Sequence, residues 1–224
     1  MLAQLSRYGL CAAVALAGVA NQRRYRMATT WLPHVAMNSF ALLLPELLRI
    51  VPRPRRPHEL VAAGLATLDA LVCENPRYIG YIAPLSAGYL LSHPDFNIYK
   101  GAWAELKLAG LGLDAVPHGA TAFALATLSG DTIEQFAQQL PAGSPSSELV
   151  AWWAKRPVLF GAVVVALATL AWEAGEYRIH LHELAQRGDA SQINMQWSAA
   201  DTVADLAANA LGCGAAAVWR QARA

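Results

Sequence analysis

Residues 198–219, SAADTVADLAANALGCGAAAVW, constrain the whole chain. This run of mostly alanine, leucine, valine and glycine is nearly long enough to cross a bilayer, yet it carries Asp201, Asp205 and Asn209 at four-residue intervals. At about 100° per residue, that spacing puts both carboxylates, Ala208 and Gly212 on one helical stripe, with Asn209 at its edge. Two acids one turn apart repel each other, and each is costly to keep charged inside a membrane. Protons, an arginine or a metal ion must neutralise them. Two other apolar segments carry matching clusters, Asp114/His118 and Glu173/Glu176/His180. The sequence therefore predicts three helices facing one another across a buried polar site.

Composition sets the class. The chain is 55% hydrophobic and 15% charged, with a mean hydropathy of +0.29, where ordinary soluble domains carry about a quarter charged residues. The expectation is an all-α fold: a polytopic transmembrane helical bundle of six or seven spans, one integral membrane domain over 1–224, multi-pass in the cell membrane. A net charge of +1 implies no nucleic-acid surface. Cys11, Cys73 and Cys213 all lie in apolar segments without zinc spacing, and read as small buried hydrophobes.

Residues 1–20 hold Arg7 and then an apolar run, Gly9–Ala20. They read as a first span, with a cleaved signal peptide as the alternative. NQRRYR (21–26) is a basic turn. Segment 31–51 reads as a span with His34 and Asn38 one turn apart, placed for an interhelical hydrogen bond, and with Pro45-Glu46 deeper in. PRPRRPHE (52–59) is a rigid basic loop suited to lipid headgroups. Segments 60–73, holding Asp69, and 78–91 are short, as thin spans or a re-entrant pair. A helix is expected over 105–128, its early part holding Gly110 and Gly112. Residues 129–156 are the one long hydrophilic stretch, read as an external loop with a short amphipathic helix around 131–140. Segments 157–176 and 198–219 complete the spans, joined by a loop at 188–197. The basic loops 21–26 and 52–59 flank one span, so the distribution of Lys and Arg does not fix orientation. No phosphate loop, nucleophile elbow, HExxH or dinucleotide fingerprint is present, and no organic cofactor is expected.

Each cluster has a plain alternative. Asp114 and His118 project from one face around Pro117, which is expected to free a carbonyl one turn earlier, but a lone Asp–His pair also serves as a tie between helices. Glu173, Glu176 and His180 lie within about 60° of one another on a helical wheel. Gly175 beside them is expected to admit a neighbouring helix, while Arg178, His182 and Glu183 read as a solvated helix end. Asp201 and Asp205 have a structural alternative in pairing with Arg178 or Arg187. Taken together, Asp114, His118, Glu173, Glu176, His180, Asp201 and Asp205 form a carboxylate-rich set with few imidazoles. Such a set suits a divalent metal ion: Mg²⁺, Mn²⁺, Fe²⁺ or Zn²⁺.

The order D-x3-H, W-E-x2-E-Y and D-T-x2-D-x3-N-x2-G resembles the YjdF-like bacterial integral membrane family and, more distantly, VanZ-like proteins. The residues that carry it are Asp114 and His118; Trp172, Glu173 and Glu176; and Asp201, Thr202, Asp205 and Gly212. The sequence departs from that pattern at Ala115, where those families usually carry lysine. The resemblance covers roughly the second half of the chain and implies a multi-span helical protein of a bacterial inner membrane, without supplying a reaction.

Two function classes follow. One is a metal-dependent enzyme acting on a lipid or lipid-linked substrate, with His118 or Glu173 as general base and the aspartates holding the metal. The other is non-enzymatic: a proton- or ion-coupled transporter, or a structural or assembly subunit. Membrane lipid is the expected partner, and a membrane-protein partner or a second copy stays open.

Overall fold

A computed structural model describes residues 2–55, 57–108, 111–193 and 196–223. Gly110, and Arg56 of the basic loop, lie outside the described residues. The fold is all-α, with helices α1 (Leu2–Tyr25), α2 (Leu32–Ile50), α3 (Glu59–Leu68), α4 (Tyr78–Leu90), α5 (Ala115–Gln139), α6 (Ser147–Ala154), α7 (Pro157–Arg187) and α8 (Ala199–Gln221). A short antiparallel hairpin, β1 (Lys107–Leu108) with β2 (Leu111–Gly112), precedes α5.

Helix α5 is the hub, touching α3, α4, α6, α7 and α8. Small residues make that crowding feasible, because without bulky side chains two helix backbones can approach closely. Ala208, Gly212 and Ala216 form a buried line on α8 at four-residue spacing. A Cβ at Gly212 would overlap the Gly119 carbonyl oxygen of α5, and one at Gly161 of α7 would sit 2.5 Å from the Ala126 carbonyl oxygen. The contacts set direction. His118 faces Asp205 at one end of α5, and Asp131 and Glu134 meet Arg220 at the other, so α5 and α8 run parallel. Helix α7 runs against both: Pro157 lies near Gly130, and Thr169 accepts a hydrogen bond from Asn209.

The first two helices close on a part-buried ion pair. Arg7 donates through two nitrogens to both carboxylate oxygens of Glu46, at 2.7 Å each, and also to the Leu42 carbonyl. Pro45 cannot donate to the Ala41 carbonyl one turn before it. The Tyr78 hydroxyl of α4 donates to that oxygen instead, at 2.7 Å.

Three helices among the described residues are long and apolar enough to cross a membrane: α1, α7 and α8. Segments 157–176 and 198–219 thus sit in such helices. Segment 31–51 is helix α2 but is not one of the three; it carries His34, Asn38, Glu46 and Arg49 in 19 residues. Helices α3 and α4 have 10 and 13 residues, giving lengths of roughly 15 and 20 Å against a hydrocarbon core of roughly 30 Å.

Other expectations change too. The hydrophilic stretch does not begin at 129, because α5 continues unbroken to Gln139. Ser129, Gly130 and Ile133 are buried there, so these residues belong to the core rather than to an external loop. The helix expected from 105 starts only at Ala115, after the hairpin. Pro117 then lies in the first turn, where its missing N–H has no intrahelical partner to lose, so it frees no carbonyl.

Candidate functional site

Three helix ends meet at one end of the bundle: the starts of α5 and α8 and the late part of α7. The first two are fixed by capping. The Asp114 side chain caps α5, accepting from the Ala115 N–H at 3.0 Å. Ser198 caps α8, accepting from the Asp201 N–H at 3.1 Å. Asp114 and Asp201 therefore stand at the positive ends of two helix dipoles, which favour negative charge there. That is a structural reason for both residues, and Asp201 is exposed.

Deeper in, Asp205 is 5% exposed and its Oδ1 lies 3.4 Å from His118 Nε2. Glu173 is 8% exposed. Its Oε2 accepts from the Thr202 hydroxyl at 2.5 Å and from Trp197 Nε1 at 3.2 Å. Its other oxygen, Oε1, is buried without a hydrogen-bond partner among the described residues. Glu176 accepts from Trp172 Nε1, one turn back on α7, at 2.7 Å. His180 Nδ1 accepts from the Trp197 backbone N–H at 3.4 Å.

The structure thus brings His118 to Asp205, sets Glu173 against α8, and puts Asp201, Asp114, Glu173 and Glu176 all within electrostatic reach of Asp205. Arginine pairing does not account for these acids. Arg187 donates instead to the Tyr25 carbonyl at 2.8 Å, and Arg178 is exposed. Among the described residues, the arginine ion pairs are Arg7–Glu46, Arg53–Asp69 and Arg220 with Asp131 and Glu134. None involves the five acids of the site. Also among the described residues, no three His, Cys, Asp or Glu side chains stand together at the spacing of a metal-ligand set.

Sequence reasoning missed Tyr99. It lies in the loop after α4, and its hydroxyl donates to the Gly88 carbonyl at 3.1 Å. Its ring stands edge-on to His118, with centroids 6.4 Å apart. The ring keeps about a third of its surface, but the hydroxyl points inward. Burial pushes that phenol well above its ordinary value, and the nearby Asp114, Asp205 and Glu176 charges push it further. Tyr99 stays a neutral donor. A loop tyrosine carries no periodicity, so no signal in the sequence marked it.

Trp197 was also missed. It meets Tyr177 with ring centroids 4.9 Å apart at 64°. With Glu173 and Ala174 these rings line a pocket of about 290 Å³ beside the acidic cluster.

Two expectations are corrected here. Among the described residues nothing lies within 4 Å of a Cβ built at Gly175, so no neighbouring helix packs closely on it. Glu183 is not solvated: it is fully buried and accepts from Thr29 and Thr30 at 3.0 and 2.9 Å. Away from the cluster, Asn38 accepts from Ser86 of α4 at 2.9 Å, and His34 stacks on Tyr89 with centroids 5.3 Å apart. Both act as helix ties. Compared with protein-family models, curated proteins and solved structures, the chain matches none.

Proposed function

We propose that this chain is a multi-pass integral membrane protein whose acid–imidazole cluster takes a divalent cation and acts on a lipid or lipid-linked substrate near the membrane surface. One observation carries the reading: five carboxylates, Asp114, Glu173, Glu176, Asp201 and Asp205, gather with His118 at one end of the bundle without a lysine or arginine partner among the described residues. The helix dipoles offset part of the charge on Asp114 and Asp201. Asp205 and Glu173 are buried beyond that help, and a buried carboxylate needs a proton or a cation.

Depth supports a substrate at the interface. Glu173 comes sixteen residues after Pro157 along α7, roughly 24 Å up the helix axis. The cluster then lies near the far edge of the hydrocarbon, within reach of headgroups. His118 is the base of this reading: its Nε2 stands 3.4 Å from Asp205 Oδ1, the placement from which an acid orients a catalytic histidine. Glu173 is the alternative base. A cation among the aspartates would polarise a substrate oxygen or activate water.

Elemental analysis of detergent-purified protein tests this. The expected result is about one equivalent of Mg, Mn, Fe or Zn, lost on chelation and regained on dialysis. Metal below a tenth of an equivalent after loading ends the proposal.

A non-enzymatic scaffold is the second reading. The direct hydrogen bonds from Thr202 to Glu173 and from Asn209 to Thr169 favour it, because they join α7 to α8 with no ligand between.

A further inference from the structure

The pocket beside Glu173 has a lining that selects by charge. Among the described residues it holds one carboxylate, two aromatic rings and a methyl group, and no lysine or arginine. Tyr177 and Trp197 meet at 64°, so their rings form two walls of a corner. Trp197 Nε1 is already committed to Glu173 Oε2, which fixes the carboxylate between ring and helix and removes the one N–H donor an anion would want. Glu173 Oε1, in a residue more than nine-tenths buried, has no partner among the described residues. An aromatic corner next to a carboxylate is the arrangement that holds ammonium and quaternary ammonium groups, because the negative ring faces attract cations. The wider cluster points the same way, because its carboxylates have no lysine or arginine partner among the described residues.

We propose that the pocket formed by Glu173, Ala174, Tyr177 and Trp197 binds a cationic amine headgroup, of the ethanolamine or choline type, and so sets the substrate class of the neighbouring site. The inference rests on the enzymatic reading given above, which names no headgroup. The amine sits in the aromatic corner against the Glu173 carboxylate. The rest of an amphiphilic substrate then extends along α7 or toward the acidic cluster.

The test is lipid binding by the full chain in detergent, followed by native mass spectrometry. The probes are short-chain phosphatidylethanolamine, phosphatidylcholine and phosphatidylglycerol, with free ethanolamine and choline as separate arms. Phosphatidylethanolamine or phosphatidylcholine should bind roughly tenfold more tightly than phosphatidylglycerol. Tyr177→Leu should remove most of that preference, and Trp197→Phe, which keeps a ring, should retain more of it than Trp197→Leu. Tyr177 is 44% exposed and belongs to no ligand set, so Tyr177→Leu should keep its metal content and melting temperature. Binding by the free amines would support the pocket with a soluble amine as its source, and binding by the lipids alone would support a lipid source. Equal binding of all three lipids, or an unchanged preference in Tyr177→Leu, overturns the proposal. Metal content is measured on the same samples. Loaded metal without headgroup preference removes this inference alone, whereas headgroup preference without metal removes only the metal reading.

Discussion

At the scale of single residues, Asp205 separates a site from a tie. Its near partner is a histidine, not an arginine. A histidine left alone can shed its proton and become neutral, whereas an arginine cannot. Asp205→Leu should therefore leave stability level or raised, and Asp205→Asn should leave the fold intact; both should lower bound metal at least tenfold. Metal content and thermal stability of both variants in one detergent check this. A loss of about 1–3 kcal/mol, the cost of leaving buried polar partners unpaired, with unchanged metal would favour the scaffold. Asp69, outside the three apolar helices, allows a pH test. Arg53 donates to both its oxygens at 2.6 and 2.7 Å and holds its carboxyl below the usual aspartate range. A depressed folded value means stabilisation that is complete above the ordinary carboxylate range and fades as pH falls through the folded value. The Arg53 side chain is 43% exposed, so the effect is small and weakened by salt. Melting temperatures of wild type and Arg53→Gln should differ slightly near pH 6 and converge toward pH 2; a gap that widens on acidification contradicts the pairing. Residue types and spacing made Asp114, His118, Glu173, Glu176, Asp201 and Asp205 legible. The unpartnered oxygen of Glu173 and the inward hydroxyl of Tyr99 were not, because both depend on chain segments far away in sequence.

At the scale of elements, apolar length was readable and boundaries were not. Helices α7 and α8 announce themselves by long runs of alanine, leucine and valine. Helix α5 hides its continuity, because Ser129, Asp131, Thr132 and Glu134 read as a hydrophilic stretch with a separate short helix over 131–140 until Arg220 and Tyr81 supply partners for Asp131. Glycines were legible only as possibilities for close approach. Gly212 realises that approach and Gly175 does not, since the helix facing each is set by the whole packing. The difference yields a matched pair on one helix. Gly212→Val should cost about 1–3 kcal/mol or more, because the new side chain drives α8 away from the Gly119 carbonyl. Gly214→Val meets nothing within 4 Å and should change stability little beyond helix propensity. Thermal unfolding of the two variants in one detergent checks the contrast; equal losses would mean that α5 and α8 do not touch at Gly212.

At the scale of the molecule, α7 sets the thickness. Its 31 residues reach roughly 46 Å, more than the hydrocarbon core and close to a whole bilayer. Leu167 on α7 and Leu211 on α8 are 63% and 66% exposed, which for a membrane protein means facing lipid. Cysteines placed at these two positions, in a chain lacking Cys11, Cys73 and Cys213, should resist a membrane-impermeant maleimide in sealed vesicles. Cysteines at Ser147, on α6 before α7, and at Ser191, in the turn after α7, should react from opposite sides. Rapid labelling at 167 or 211, or labelling of 147 and 191 from the same side, rejects the arrangement. The polarity of these helices also has a consequence in time. Asp201 and Asp205 come from α8, which the ribosome makes after every other α-helix of the bundle, while their neighbours Asp114, His118 and Glu173 are synthesised long before. Until α8 inserts alongside α5, Glu173 lacks both Thr202 and Trp197, and His118 lacks Asp205. The nascent chain therefore carries a half-built acidic face from the time α5 is made and completes it only when α8 packs against α5 and α7. Stalled chains ending before Trp197 should be recognised as incomplete by proteases that patrol the membrane for unpaired polar groups.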